Sequence, residues 1–104
     1  MQDIGFSNLA DQVLLFIADT IESIDQEGLI DVDFHNDIIN ISTNYGIFVI
    51  NKHSIAKQIW LASPISGPHH FSYFEDIDKW LTYNNIELFD ILNTELQIHF
   101  KTSN

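Results

Sequence analysis

The 104-residue sequence contains no cysteine and no arginine. Without cysteine the chain cannot form disulfide bonds, thiolate nucleophiles or zinc–thiolate sites, and it cannot ligate an iron–sulfur cluster through sulfur. Any metal ion must therefore bind to oxygen or imidazole groups. The sequence also lacks a glycine-rich phosphate loop and any Ser, His and Asp grouping at a catalytic spacing, which argues against an enzyme.

Long apolar runs are missing as well. No stretch approaches the roughly 20 apolar residues that span a bilayer, although 45% of the residues are hydrophobic. Residues 1–6 include Asp3 and do not form a basic region followed by an apolar stretch, so they resemble neither a signal nor a transit peptide. We therefore expect one globular domain in the cytoplasm, without a membrane contact.

Basic charge is scarce, and the formal net charge is −11. A field of this sign repels a phosphate backbone and attracts cations and basic protein surfaces, so it argues strongly against a nucleic acid partner. The first part of the chain is the most acidic, because residues 1–37 contain no lysine. Its acidic residues are Asp3, Asp11, Asp19, Glu22, Asp25, Glu27, Asp31, Asp33 and Asp37.

The segment from Leu9 to Ile24 has the apolar spacing of an amphipathic helix, with Ser7 or Asn8 as a suitable N-cap. At about 100° per residue, its acidic side chains fall within about 120° of one another, away from the apolar stripe. The stripe consists of Ala10, Val13, Leu14, Ile17, Ile21 and Ile24, and the acidic face consists of Asp11, Asp19, Glu22 and Asp25.

Short strand-like segments separated by turns follow this helix. They cover residues 30–34, 38–43, 47–52, 58–62 and 69–73, with a weaker one at 79–83. Helical spacing returns between Ile86 and Phe100 through Leu88, Leu92 and Leu96. This order predicts one α+β domain over residues 1–104, an α-β sandwich with two helices on one face of a five- to six-stranded antiparallel sheet.

The opposite sheet face, here called the open face, must then meet solvent. Ile59 and Leu61 form the core-facing pair of their strand, so Trp60 points to the open face. An exposed indole is a suitable anchor for a protein partner, because tryptophan is enriched among interface hot spots. The alternative is that Trp60 packs against neighbours on its own sheet face and binds nothing.

The first predicted strand extends the acidic surface of the helix. Alternation places Ile30, Val32 and Phe34 toward the core and Asp31, Asp33 and His35 on the other side. Carboxylates and imidazole suit hard cations and iron, but same-face strand residues lie about 6.6 to 7 Å apart. The pattern predicts weak, water-rich metal binding at several sites or, alternatively, a solvated acidic surface that binds no metal.

Two other histidine positions are weaker ligand candidates. His69 and His70 are neighbours on a predicted strand, so their side chains point to opposite faces and cannot share one ion. His99 lies near the predicted end of the last helix, where a histidine interacts favourably with the helix dipole.

Blocks in the middle of the chain resemble the signature stretch of the frataxin family. They are Asn51-Lys52-His53, the run KQIWLASP at residues 57–64 and the run SGPHHF at residues 66–71. The runs LADQ at residues 9–12 and DVDF at residues 31–34, with Asn36-Asp37 after them, resemble the first helix and first strand of the family. The likeness covers nearly the whole chain, and the short length of the chain fits the bacterial, CyaY-type branch.

The resemblance implies an iron-binding accessory protein of iron–sulfur cluster assembly that is not an enzyme. It implies weak binding of Fe²⁺ or Fe³⁺, docking of the acidic ridge on the cysteine desulfurase, and contact of the open face with the iron–sulfur scaffold protein. The implied metal ligands, which define the acidic ridge, are Asp19, Glu22, Asp25, Glu27, Asp31 and Asp33, with Asp11 as a weaker member. The implied partner-binding residues are Asn51, Gln58, Trp60 and, by position, His70.

The chain departs from the family pattern at a few of these positions. His53 stands where glutamine is common in eukaryotic members, and His70 stands where arginine is common there. The second change removes a permanent charge from the open face. Ser7 occupies a position where some bacterial members carry a metal-binding histidine.

Two alternative functions remain open from the sequence. A ferroxidase or iron-storage protein would need a preorganised cage, such as the inward-facing Glu and Glu-x-x-His sets of helical bundles, and the sequence lacks this pattern. A metal-independent acidic adaptor would bind by charge alone and lose affinity as salt increases. We expect a monomer, with an iron-dependent oligomer under the storage alternative.

Overall fold

The computed structural model describes residues 3–100, with side chains from residue 5 onward, so the side chain of Asp3 and all of Lys101 lie outside it. The helices are α1 (Asp3–Ile24) and α2 (Leu88–Leu96). The strands are β1 (Asp31–His35), β2 (Ile38–Thr43), β3 (Gly46–His53), β4 (Gln58–Ser63), β5 (Gly67–Phe74) and β6 (Lys79–Leu81). All six pair antiparallel in sequence order, so the predicted α-β sandwich is confirmed.

Helix α1 begins earlier than the pattern predicts, at Asp3, so Ser7 lies inside the helix and the N-cap assignment is wrong. The early start places Phe6 in the core, where its ring contacts Trp80 edge to face at 6.0 Å. At the other end Ile24 is 43% exposed, so the apolar stripe stops at Ile21. Within residues 3–100, neither helix combines the length and the apolar character that a membrane crossing needs.

The core lies between the two helices and one face of the sheet. The sheet contributes fully buried side chains at alternate positions, as strand periodicity requires. They are Ile39, Ile41, Phe48, Ile50, Ile59, Leu61 and Phe71. Strand β1 is an edge strand, so Val32 is half-buried and Phe34 is 39% exposed. The expectation that Phe34 joins the core is therefore wrong.

Tight turns hold the strands in a meander. Asn36 and Asp37 connect β1 to β2, and Asn36 adopts a positive φ of 56°, which favours the mirror-image turns that suit hairpins. Gly46 starts β3 with φ 128°, and a Cβ there would lie 2.8 Å from the Cβ of Pro64. Only glycine allows this close approach of the β2–β3 and β4–β5 turns.

Helix α2 is shorter than the predicted 86–100 segment. Glu87 caps its start by accepting hydrogen bonds from the N–H groups of Phe89 and Asp90, both at 3.0 Å. Gln97 adopts the left-handed conformation and ends the helix, so His99 lies beyond it and the helix-dipole assignment is wrong. The predicted core residues Leu88, Leu92 and Leu96 are buried.

Candidate functional site

The centre of the open face is a row of side chains on β3, β4 and β5. Trp60 pairs with Asn51 on one side and with His70 on the other. Residues that pair directly across antiparallel strands share a sheet face. Trp60, predicted on the open face, is therefore confirmed there, together with Asn51 and His70, and the indole is half-buried.

Two imidazole rings enclose the indole of Trp60. The His53 ring stacks on one face, with ring centroids 3.8 Å apart and an interplanar angle of 18°. The His70 ring stacks on the other face at 4.0 Å and 13°. We call this arrangement the histidine–tryptophan stack. It holds the indole in one orientation on the open face.

Hydrogen bonds fix the edge of the same indole. Trp60 Nε1 donates to Gln58 Oε1 at 2.8 Å, and Gln58 Nε2 donates to Ser72 Oγ at 3.1 Å. Among the described residues, the half-buried side chain of Asn51 makes a single long hydrogen bond, from Nδ2 to the carbonyl oxygen of Lys52 at 3.4 Å. The indole thus packs against its neighbours and also forms part of the solvent-facing surface.

His53 was not predicted as a site residue. Its only available signal was the change from glutamine at a family position. The contact depends on sheet register, because His53 pairs with Gln58 and therefore lies diagonally opposite Trp60. His69, by contrast, faces away from the stack, as alternation predicts, and its ring lies 6.1 Å from that of the core residue Phe71.

The acidic ridge wraps around the β1 edge of the sheet. Asp19 and Glu22 are exposed on α1, which covers the core face. Asp31 and Asp33 are exposed on β1 and pair with Ser42 and Asn40. These β2 residues alternate with the buried Ile39 and Ile41, so the strand carboxylates point to the open-face side. Helix and strand acids therefore approach each other only around the edge.

The ridge has the donor type that iron accepts, but its oxygens are dispersed. Within residues 5–100, no group of three or more His, Cys, Asp or Glu side chains is close enough to hold a metal ion. Its members Asp19, Glu22, Glu27, Asp31 and Asp33 are exposed. Exposed carboxylates of this kind suit loosely bound, hydrated cations.

Asp25 differs from the other ridge members because its carboxylate organises the chain after α1. Oδ1 accepts the N–H of Leu29 at 2.9 Å, and Oδ2 accepts the N–H of Ile30 at 2.8 Å. These bonds direct the chain from the helix into β1. Asp25 was predicted as a metal ligand, and its contacts give it a structural role as well.

Asp11 differs because it is paired with a lysine. Lys52 Nζ lies 2.8 Å from Asp11 Oδ1, 2.9 Å from Ser7 Oγ and 3.5 Å from Asp37 Oδ1. The Lys52 side chain is only 8% exposed. Its hydrogen bond to Asp11 is the main cause that raises the pKa of Lys52, against the opposing effect of burial. We call this group the lysine corner.

The lysine corner neutralises the ridge at its amino-terminal end. Asp11 already has a cation at hydrogen-bonding distance, whereas no salt bridge to Asp19, Glu22, Asp31 or Asp33 occurs among the described residues. The unpaired negative charge is thus concentrated in the carboxyl-terminal half of α1 and in β1.

Comparison with known proteins decides the family. The sequence profile of the frataxin-like domain matches residues 1–102. The chain belongs to the frataxin family. Among named relatives, the iron–sulfur cluster assembly protein CyaY of Thioalkalivibrio sulfidiphilus is 37% identical over 98 residues, covering 92% of this chain and 91% of that protein.

Frataxin relatives from eukaryotes are longer than the matched region. The mitochondrial frataxin-like protein of Leishmania donovani is 36% identical over 70 residues, which cover 66% of this chain and 37% of that protein. The mitochondrial frataxin homologue of Schizosaccharomyces pombe is 33% identical, and the match covers 96% of this chain and 66% of that protein. This frataxin therefore spans about a third to two thirds of the length of these two relatives.

Solved frataxin structures share the fold. A trimeric frataxin of Saccharomyces cerevisiae, crystallised in a ferrous complex, matches with a TM-score of 0.77 and 33% identity over 86% of this chain and 82% of that one. Frataxin of Psychromonas ingrahamii matches with a TM-score of 0.83 over 98% and 100% of the two chains, at 24% identity. The second match supports the fold alone.

Proposed function

We propose that this frataxin is an accessory and regulatory protein of iron–sulfur cluster assembly in the cytoplasm, and not an enzyme. In this role the acidic ridge binds Fe²⁺ or Fe³⁺ weakly and docks on the cysteine desulfurase. The open face around Trp60 contacts the scaffold protein. The observation that carries the proposal is the lysine-free acidic surface of α1 and β1, on a chain related to a named iron–sulfur cluster assembly protein.

Charge and geometry support the ridge as the iron site. A divalent cation about 4 Å from a carboxylate in water gains about 2 kcal/mol, and several such terms add up where acids surround one region. The exposure of Asp19, Glu22, Asp31 and Asp33 keeps the bound ion hydrated, which fits weak binding and rapid release. The same negative field attracts a basic surface on a protein partner.

Two double variants test this function. Asp19→Asn with Glu22→Gln removes the helix half of the ridge, and Asp31→Asn with Asp33→Asn removes the strand half. Each pair should lower the affinity for Fe²⁺ about five- to thirtyfold for each carboxylate that contacts the ion, since each contributes about 1 to 2 kcal/mol. Both should weaken desulfurase binding. Anaerobic titration followed by amide chemical shifts measures the first effect, and calorimetry measures the second.

The matched control is Glu75→Gln with Asp76→Asn, two exposed acids in the β5–β6 turn. It changes the net charge by the same amount and should leave both affinities nearly unchanged. Asp25 is not substituted, because an amide cannot replace both oxygens that accept the Leu29 and Ile30 N–H groups. If the ridge variants bind iron and the desulfurase as tightly as the control does, the proposal fails.

A metal-independent adaptor is the second candidate, and the dispersal of the ridge oxygens favours it. In that case docking on the desulfurase is electrostatic alone. Its affinity should then fall steeply between about 50 and 200 mM salt, as screening shortens the range of exposed charges, and added Fe²⁺ should not change it. Iron-dependent binding at constant ionic strength would reject the adaptor.

The ferroxidase and storage alternative is tested by the reaction it requires. Oxygen consumption by Fe²⁺ should be no faster with the protein than without it, because the described ridge offers no closed cage for two iron ions. Size analysis with and without iron decides whether the chain stays a monomer or assembles, as the trimeric yeast frataxin does.

A further inference from the structure

The two imidazoles of the histidine–tryptophan stack differ in their hydrogen bonds. The N–H of Ala56 donates to Nδ1 of His53 at 3.1 Å, so the neutral ring carries its proton on Nε2. His70 is exposed and lines a surface cavity of about 320 Å³ together with Pro68 and Tyr83. Among the described residues, neither ring nitrogen of His70 has a hydrogen-bond partner.

Protonation therefore has different consequences at the two rings, because only His53 loses a hydrogen bond among the described residues. A proton on Nδ1 of His53 occupies the lone pair that accepts the Ala56 N–H, so the hydrogen bond that closes the β3–β4 turn is lost. A proton on His70 breaks no hydrogen bond within residues 3–100. It places an imidazolium over the indole face, where the ring quadrupole attracts it.

Two positive charges on opposite faces of one indole also repel each other. Each protonation event changes the environment of Trp60, because both rings stack on its indole. No carboxylate that could neutralise these charges lies directly across from the stack. Trp60 pairs with Asn51 and His70, and His53 pairs with Gln58.

Other titratable or charged groups surround the stack at a greater distance along the sheet. Both helices lie on the opposite face, so their acids do not face it. Those on β1 and in the β1–β2 and β2–β3 turns are Asp31, Asp33, His35, Asp37 and Tyr45. Those on the remaining elements are Lys57 in the β3–β4 turn, Glu75, Asp76 and Asp78 in the β5–β6 turn, Lys79 on β6 and Tyr83 after β6. Asp78 accepts a hydrogen bond from the hydroxyl group of Tyr73, and the Lys52 side chain points into the lysine corner.

We propose that the histidine–tryptophan stack is a proton-responsive switch on the open face. Over the range in which histidine changes charge, roughly pH 5 to 8, proton uptake tightens His70 on the indole and releases the β3–β4 turn at His53. Because Trp60 is the anchor of the proposed scaffold contact, that contact should also depend on pH. This consequence rests on the proposed function, whereas the switch itself is a property of the free chain.

Nuclear magnetic resonance of the free, labelled protein between pH 5 and 8 tests the switch. The Nε1–H resonance of Trp60 and the amide resonance of Ala56 should both shift reversibly, and the neutral His53 ring should show the Nε2–H tautomer. The buried Trp80, 3% exposed, provides an internal control whose indole resonance should stay constant.

Single substitutions separate the two rings. His53→Gln should abolish the pH-dependent shift of the Ala56 amide resonance, while the Trp60 resonance should still shift because His70 is unchanged. His70→Gln should retain the shift of Ala56 and reduce the shift of Trp60. The unchanged Trp80 resonance verifies the fold of each variant. A Trp60 resonance that stays constant with pH, or one that still titrates when both histidines are replaced, would overturn the proposal without affecting the iron function.

Discussion

If the open face makes the proposed scaffold contact, replacing Trp60 by alanine should lower the affinity for the scaffold protein about thirtyfold or more. Tryptophans at the centre of interfaces commonly contribute at least about 2 kcal/mol, which corresponds to that factor. The histidine–tryptophan stack and the Gln58 hydrogen bond hold the indole in one orientation before binding, so little side-chain entropy is lost on association. Calorimetry with the purified scaffold protein measures the change.

The fold should survive this substitution, because the indole lies on the open face. Loss of two stacking contacts should cost about 1 to 3 kcal/mol of unfolding free energy. Leu61→Ala, one position along in the same strand but fully inside the core, should cost about 2 to 5 kcal/mol. Tyr45→Ala removes an exposed aromatic ring from the distant β2–β3 turn and should leave scaffold binding unchanged. Equal affinity of the Trp60 and Tyr45 variants would contradict the assignment.

Replacing Lys52 by methionine should have the largest effect on stability among the charged positions. The change keeps an apolar stem of similar length but leaves Asp11 and Asp37 without their shared cation and Ser7 without its donor. The Lys52 side chain is 8% exposed and the two aspartate side chains are 55% and 57% exposed. The loss should therefore lie between that of surface and buried ion pairs, about 1 to 3 kcal/mol. Thermal unfolding should show a decrease of roughly 4 to 8 °C per kcal/mol.

A second set of variants distinguishes the lost attraction between Lys52 and its two aspartates from the repulsion between the carboxylates that remain. Adding Asp11→Asn and Asp37→Asn to Lys52→Met removes the two uncompensated carboxylates, so part of the stability should return. Lys79→Met changes a lysine on β6 that forms no salt bridge with the other described residues, and it serves as the charge-matched control. If the Lys52 and Lys79 variants unfold at the same temperature, the lysine corner contributes nothing.

The lysine corner also predicts how stability changes at alkaline pH. Asp11 raises the pKa of Lys52 above its ordinary 10.5, and the hydrogen bond to Asp78 raises the pKa of Tyr73 to about 12. A raised pKa means that the folded state holds the proton more tightly than the unfolded chain does. Both contributions are therefore complete below pH 10 and are lost as the pH rises through the folded values. Denaturant unfolding between pH 9 and 12 should show this loss, and Lys52→Met should reduce it.

Local patterns predicted the elements whose signals are themselves local. Strand β2 has the predicted bounds, Ile38–Thr43, because Asn36-Asp37 and Asn44-Tyr45-Gly46 mark both of its turns. The start of α1 was misjudged because Ser7 is chemically a good cap. Its hydroxyl instead accepts a hydrogen bond from Lys52, which is 45 residues away in sequence.

The apolar periodicity also did not predict which side chains are buried at the ends of helices and strands. Phe34 and Ile24 occupy apolar positions of their patterns, yet both are exposed. Periodicity indicates which way a side chain points, whereas burial requires a neighbouring element to cover it. Among the described residues, strand β1 stands at the edge of the sheet and pairs with β2 alone.

The sequence by itself determined the α-β sandwich, the placement of Trp60 on the open face and the acidic character of the first helix and strand. These features follow from alternation, helical spacing and composition, which are properties of neighbouring residues. Only the tertiary structure decided that His53 and His70 enclose Trp60, that Lys52 neutralises Asp11, and that Asp25 organises the chain after α1. The first two depend on strand register and on how the helix packs on the sheet, and the third depends on a loop geometry that spacing does not encode.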